Sequence, residues 1–249
     1  TDALKVLALA PEQAEIRYWQ AWLQRDKPQA AQLLKKASAL SAYLVFPFRE
    51  ESVPVFQWAA KTNPDDWKAK YYLGLVYWGL RRADDARHEF AACGNTPDFA
   101  PLYVSRAYLA RESNPGAALA DYQRAKDVGS DDWRNWRHLA SYSLERGLNA
   151  QALALASEAA RKFPAEDQLK VLLARADLAN GDICLAHGYV GDLVQSRARA
   201  QEAKKPQNIG IAIPKEGAIV NIDMMAVPVD APHPAEALAF INFILRPDI

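Results

Sequence analysis

Four side chains stand out for what they could hold: Tyr71, Trp78, Arg134 and Arg137. Aromatic rings offer flat apolar faces, and guanidinium forks pair two-to-two with carboxylates. Set along one groove, they suit an extended peptide with acidic groups, or a peptide's C-terminal carboxylate. Other chemistry has little to work with. His88, His138, His187 and His233 are scattered, and no HExxH or paired CxxC gives a metal-ligand spacing. Cys93 and Cys184 lie far apart in segments of different character, so two thiols are expected and no disulfide. There is no phosphate-cradling glycine loop, no nucleophile elbow, and no carboxylate pair with positional logic for catalysis. The expectation is a binding protein without enzymatic activity, metal or cofactor.

Charge and hydropathy narrow the partners. Thirty Lys and Arg balance thirty Asp and Glu among 249 residues. A nucleic-acid binder normally shows a basic excess, so none is expected as a partner. No apolar run reaches the ~18–20 residues that a membrane helix needs, so direct membrane insertion is not expected either.

The elements that would position such a groove show in the periodicity. Asp65-Asp66-Trp67 recurs as Asp131-Asp132-Trp133, and Pro64 recurs as Pro97. The interval is about 33 residues or twice that, close to the ~34-residue tetratricopeptide period. Leu73-Gly74-x2-Tyr77 is followed by Ala86-x3-Phe90, then Ala107 by Ala118-x3-Tyr122, then Trp136-x2-Leu139-Ala140 by Ala152-x3-Ala156. Small residues at Gly74, Ala107 and Ala140 let paired helices approach, while Phe90 and Tyr122 fill the space between them. The acidic pairs Asp65-Asp66, Asp84-Asp85 and Asp131-Asp132 suit helix starts. Gly94-Asn95, Gly129-Ser130 and Gly147 suit helix ends. Residues 1–176 are therefore read as a tetratricopeptide-like α-solenoid, with an extra helix at about residues 48–60 after Val45-Phe46-Pro47-Phe48. Aligning Leu73 with Leu139 places Tyr71, Trp78, Arg134 and Arg137 on or near the concave face, where such stacks take a protein or peptide partner. With Tyr77-Trp78-Gly79 and Pro97-Asp98-Phe99-Ala100-Pro101, this region resembles the helical-repeat segment of large bacterial proteins that also carry a mutarotase-like β domain.

The composition changes near Gly181. All seven tryptophans lie between Trp19 and Trp136, and both methionines, Met224 and Met225, come late. Residues 177–249 read as a small partial α/β segment. Its strands are expected at Ile183–His187, Ile209–Ile213 and Ile219–Val227, and its helices at Tyr189–Ala203 and Pro234–Leu245. Asp177-Leu-Ala-Asn-Gly-Asp-Ile-Cys184, Gly188-Tyr189-Val190-Gly191-Asp192, Ile213-Pro-Lys-Glu-Gly-Ala218 and Phe240-Ile-Asn-Phe-Ile-Leu-Arg-Pro-Asp248 resemble the periplasmic polyamine (putrescine/spermidine)-binding proteins of ABC transporters. That resemblance implies ligand contacts from Tyr189, Asp192 and Asp223, carboxylates for ammonium ends beside an aromatic face. Val190 stands where the family's motif has serine. Only a fragment of one lobe matches, so polyamine affinity in the tail is expected to be weak. The resemblance implies a periplasmic location; without it the expectation is cytoplasmic. The abrupt change of character without a Gly/Ser linker is read as a joining of two sources, artificial or composite.

Overall fold

The computed structural model describes residues 12–181 and, in the tail, residues 194–195, 197–198, 201–202, 227 and 233–244. Contacts divide the chain into two compact units, Thr1–Ile209 and Gly210–Ile249. Among the described residues the fold is all-helical, with no strand. In the first unit, α1 (Ala14–Leu23) pairs with α2 (Ala30–Ala39). A 3-10 turn (Glu50–Ser52) then leads into α3 (Val53–Thr62). Three hairpins follow: α4 (Trp67–Gly79) with α5 (Ala83–Ala92), α6 (Ala100–Ala110) with α7 (Pro115–Val128), and α8 (Trp133–Glu145) with α9 (Asn149–Lys162). Helix α10 (Asp167–Asn180) packs on α9 and α8. First helices thus begin at Trp67, Ala100, Trp133 and Asp167, the repeat spacing expected from the sequence. Each hairpin buries itself against its neighbours, the tetratricopeptide-like arrangement.

The helices start and stop where the chain supplies caps. Asp66 accepts from the amides of Lys68 and Ala69, Asp132 from Arg134, and Asn114 from Ala117, with Pro115 opening α7. Asp84 and Asp85 sit in the first turn of α5. Gly94, Gly147 and Gly181 take positive φ after their helices, a region without penalty only for glycine. Asp66 also receives the Tyr18 hydroxyl at 2.6 Å, tying α1 to the start of α4. Burial pushes the Asp66 carboxyl above its ordinary range, and the hydrogen bonds from Tyr18 and the two amides oppose that shift.

The repeat signature is a packing device. A Cβ at Gly74 would lie 2.5 Å from Phe90 Cε1 and 2.7 Å from Cδ1, so α4 and α5 approach as closely as glycine permits. Ala107 and Ala140 are fully buried at the corresponding places, with Phe90 and Tyr122 filling the space. At Gly79 an added Cβ meets nothing within 4 Å. The same substitution in one helix should therefore have opposite signs. Overpacking costs about 1–3 kcal/mol, against a helix-propensity gain of about 1 kcal/mol, so Gly74→Ala should destabilise by up to about 2 kcal/mol. Gly79→Ala should be neutral or stabilise by up to about 1 kcal/mol. Urea midpoints of the two variants check this, and equal shifts would contradict the close approach.

In the second unit, α11 (Pro234–Ile244) begins on Pro234, where a missing N–H is harmless, close to the expected Pro234–Leu245. In the first unit, residues 194–195, 197–198 and 201–202 are helical, within the expected Tyr189–Ala203 helix. The strands expected at Ile183–His187, Ile209–Ile213 and Ile219–Val227 lie outside the described residues except for Val227, which is in no regular element. The α/β character read from the tail's sequence is thus not seen among them.

Candidate functional site

A groove of about 530 Å³ crosses the first helices of successive repeats, α6, α8 and α10, with α7 at its floor. Helix α8 contributes Arg137, His138, Ser141, Tyr142 and Glu145, which one helical face brings into line. Helix α10 adds Gln168, Val171, Leu172 and Arg175 at the same periodicity. Tyr108 and Arg111 close the end formed by α6, and Tyr122 rises from α7.

Arg111 is the cation of the groove that two aromatic rings flank. Its guanidinium lies 5.5 Å from the Tyr108 ring and 5.8 Å from the Tyr142 ring. Glu145 pairs with it from α8, and the Tyr142 hydroxyl donates to the Arg111 carbonyl at 2.9 Å. Glu112 lies 3.7 Å from the Arg111 Nε as well, and a guanidinium held by rings and carboxylates is fixed in orientation, which lowers the entropy cost of receiving a ligand carboxylate. Arg137 donates to Gln168 and lies 5.3 Å from the Trp133 ring. Asp167, at the other end, accepts from Lys170 at 2.8 Å, which holds its carboxyl below the ordinary range. His138 stacks on Tyr122 with centroids 6.0 Å apart. Burial, then the neighbouring Arg137, pulls the imidazole below its usual value, so it is neutral at neutral pH. Burial pushes the Tyr122 hydroxyl up to about 12, so it stays protonated. The groove therefore offers the exposed Tyr108 ring and a neutral imidazole beside guanidinium groups, over the buried rings of Tyr122 and Tyr142.

The four residues singled out in the sequence fare differently. Arg137 lines the groove. Trp78 is half-buried and packs on Tyr108 at 5.5 Å, one ring behind the lining. Arg134 is exposed, bonded to Asp132 at 3.2 Å, and is not among the residues that line the groove. Tyr71 corrects the expectation: it is 2% exposed, packed against Tyr72, Phe90 and Phe99, and offers nothing to a ligand. Arg111, Tyr108, Tyr122, Tyr142 and Glu145 were not singled out. One signal could have found Arg111, because the spacing that equates Gly74 with Ala107 also equates Trp78 with Arg111. Tyr189, Asp192 and Asp223 lie outside the described residues.

Among the described residues, no group of three or more His, Cys, Asp or Glu could hold a metal ion. Cys93 is buried and bonded to the carbonyls of Trp67 and Glu89. Burial pushes its thiol up to about 12, which makes it inert as a nucleophile. No helix among the described residues is long and apolar enough to cross a membrane.

Two kinds of known protein resemble the chain. Over 73 residues it is 52% identical to the putrescine-binding periplasmic protein PotF of Escherichia coli, covering 29% of this chain and 20% of PotF. Over 74 residues it is 51% identical to the putrescine-binding periplasmic protein SpuD of Pseudomonas aeruginosa, covering 30% of this chain and 20% of SpuD. The chain thus spans about a fifth of the length of these relatives. Among solved structures, YrrB, described as a TPR protein with an unusual peptide-binding site, aligns with TM-score 0.49 and 15% identity over 82% of this chain and 98% of YrrB. MamA aligns with TM-score 0.46 and 14% identity over 72% of this chain and 94% of MamA. The family model for bacterial extracellular solute-binding proteins matches residues 55–249, helices α4 to α11 included, and the chain belongs to that family.

Proposed function

We propose that this chain is a non-enzymatic scaffold whose repeats hold an extended peptide along the groove of α6, α8 and α10. The observation that carries this reading is Arg111, clamped between Tyr108 and Tyr142 in a groove that also presents Arg137. The ligand class that fits is a peptide with an acidic side chain or a free C-terminal carboxylate. The carboxylate would meet Arg111, and the chain would lie across the exposed ring of Tyr108. We take this to be the concave face of the stack, the surface open to a partner. Residues 1–176 form the scaffold in this reading, and 177–249 the solute-binding fragment joined to it.

A second reading rests on the relatives: the tail recognises a polyamine in the periplasm, through Tyr189, Asp192 and Asp223. The 52% identity to a putrescine-binding protein supports it. The matched stretch corresponds to 20% of that protein's length, and in this reading the stretch alone binds polyamine weakly. One pair of titrations separates the readings. An array of hexapeptides with free and amidated C termini should yield acidic or free-acid binders that lose about tenfold or more in Arg111→Gln, a charge-assisted contact. Calorimetry with putrescine should show at most millimolar binding. Micromolar putrescine binding abolished by Asp223→Asn, with no peptide selected, would replace the first reading by the second.

A further inference from the structure

Between α2 and the 3-10 turn the chain has no helix, turns at Tyr43–Leu44, and divides its side chains between core and solvent. Ala42, Val45 and Pro47 face inward and are buried. Tyr43, Leu44, Phe46 and Phe48 are 64%, 83%, 66% and 70% exposed. Monomers tolerate single exposed apolar residues, but four large ones within six positions form a patch. The segment is also held in place. The Lys68 ammonium donates to the carbonyls of Ser38 and Leu40, Tyr43 N–H donates to Ser41 Oγ at 3.2 Å, and the Tyr43 ring sits 5.1 Å from Phe99.

A second, independent observation lies in the backbone. Leu44 has φ +60°, in the left-handed region where its Cβ crowds the following carbonyl. A glycine or asparagine would sit there with less strain, and the residue present is instead the most exposed large apolar side chain among those described. Arg81 shares this conformation at φ +60°, but only at Leu44 does the strained backbone set a large apolar side chain in water.

We propose that Tyr43–Phe48 is the contact through which two copies of this chain associate, in an isologous pair. The area argues for this occupant. With aromatic side chains of about 150–250 Å² each, the exposed parts of the three rings and Leu44 come to roughly 500 Å². One patch is therefore about as large as the largest on an ordinary monomer. Two patches face to face remove roughly 1,000 Å² from water, the lower bound for a specific interface. The charges allow it too. The chain is formally neutral, so two copies meet without net repulsion, and Arg49, Glu50 and Glu51 supply both signs at the rim of an uncharged centre. Two-fold pairing closes on itself, which leaves no second patch to propagate a fibre.

Sedimentation velocity of the full chain, from low to high micromolar concentration, tests the proposal. The expected result is a reversible shift from the 27.7 kDa monomer to a species of twice that mass. Leu44→Gly relieves the backbone strain and removes the side chain, so it should fold at least as well and weaken association by about tenfold or more. Phe46→Ser with Phe48→Ser should abolish association and leave the far-ultraviolet circular dichroism unchanged. A wild-type chain that stays monomeric throughout overturns the proposal. So does a pair that is indifferent to both variants, or a mass that grows beyond two copies.

Discussion

Phe90→Ala is expected to cost about 3–5 kcal/mol of stability, the range for deleting a fully buried aromatic ring. The ring is the plug of the α4–α5 hairpin. It lies against the backbone of Gly74, with Tyr71 at 5.8 Å and Trp78 edge-on at 6.2 Å. None of these neighbours can collapse into the hole: Gly74 has no side chain, and Tyr71 is locked among Tyr72 and Phe99. Domain stabilities run to about 5–15 kcal/mol, so the loss is a large fraction of the whole. The decisive measurement is a double-mutant cycle. Gly74→Ala should destabilise the wild type, and should be neutral or stabilising in the Phe90→Ala background, where space for a methyl exists. The coupling should reach about 1–3 kcal/mol. If Gly74→Ala is equally harmful in both backgrounds, the glycine is not there for Phe90 and the repeat has another basis.

The hairpins were legible because their requirements are local. A carboxylate at Asp66 or Asp132 caps the helix that follows it, and a small residue at Gly74, Ala107 or Ala140 permits one close crossing. Such features repeat at fixed spacing whatever the rest of the chain does. Facing is a different matter. Helix α4, Trp-Lys-Ala-Lys-Tyr-Tyr-Leu-Gly-Leu-Val-Tyr-Trp-Gly, buries Ala69, Tyr71, Tyr72, Leu73, Val76 and Tyr77, which occupy most of its circumference. No stripe separates core from surface in it, so the type of Tyr71 could not reveal its place. Helix α8 is amphipathic: Trp136, Leu139 and Ala140 face the core, and Arg137 lines the groove.

The groove was harder to read for a further reason. Its lining comes from α6, α7, α8 and α10 together, and Arg111 acquires its meaning from Tyr108, Tyr142 and Glu145 on two helices. Sequence order places these in separate repeats, and only the stacking of one hairpin on the next brings them together. The exposed Tyr43–Phe48 segment shows the opposite failure. Val-Phe-Pro-Phe reads as core by type, and only the alternation seen in the fold, with Val45 and Pro47 inward and Phe46 and Phe48 outward, turns it into a surface.

Asp121→Ala should be nearly as costly as the loss of Phe90, and it reaches the groove as well. Arg106 on α6 donates to Asp121 on α7 through Nε at 2.8 Å and Nη2 at 2.5 Å. The same guanidinium holds the turn before α6, reaching the Gly94 carbonyl at 2.9 Å and Asn95 Oδ1 at 2.7 Å. Both partners are largely shielded from water. Removing the carboxylate strands a guanidinium where water reaches it poorly, a loss of about 3–5 kcal/mol for a broken buried pair. Replacing both partners by Arg106→Met and Asp121→Leu should recover most of that loss, because a buried pair yields little net stability over a well-packed apolar one. Urea denaturation of the single and paired variants measures the two effects. The pair also fixes α6 against α7, the helices that carry Arg111, Tyr108 and Tyr122 into the groove. Asp121→Ala should therefore weaken peptide binding even where the chain remains folded, while the Arg106→Met, Asp121→Leu pair restores it. If the paired variant is as unstable as the single one, the guanidinium's bonds to Gly94 and Asn95 carry the hairpin instead, and the turn preceding α6 is what holds the groove in register.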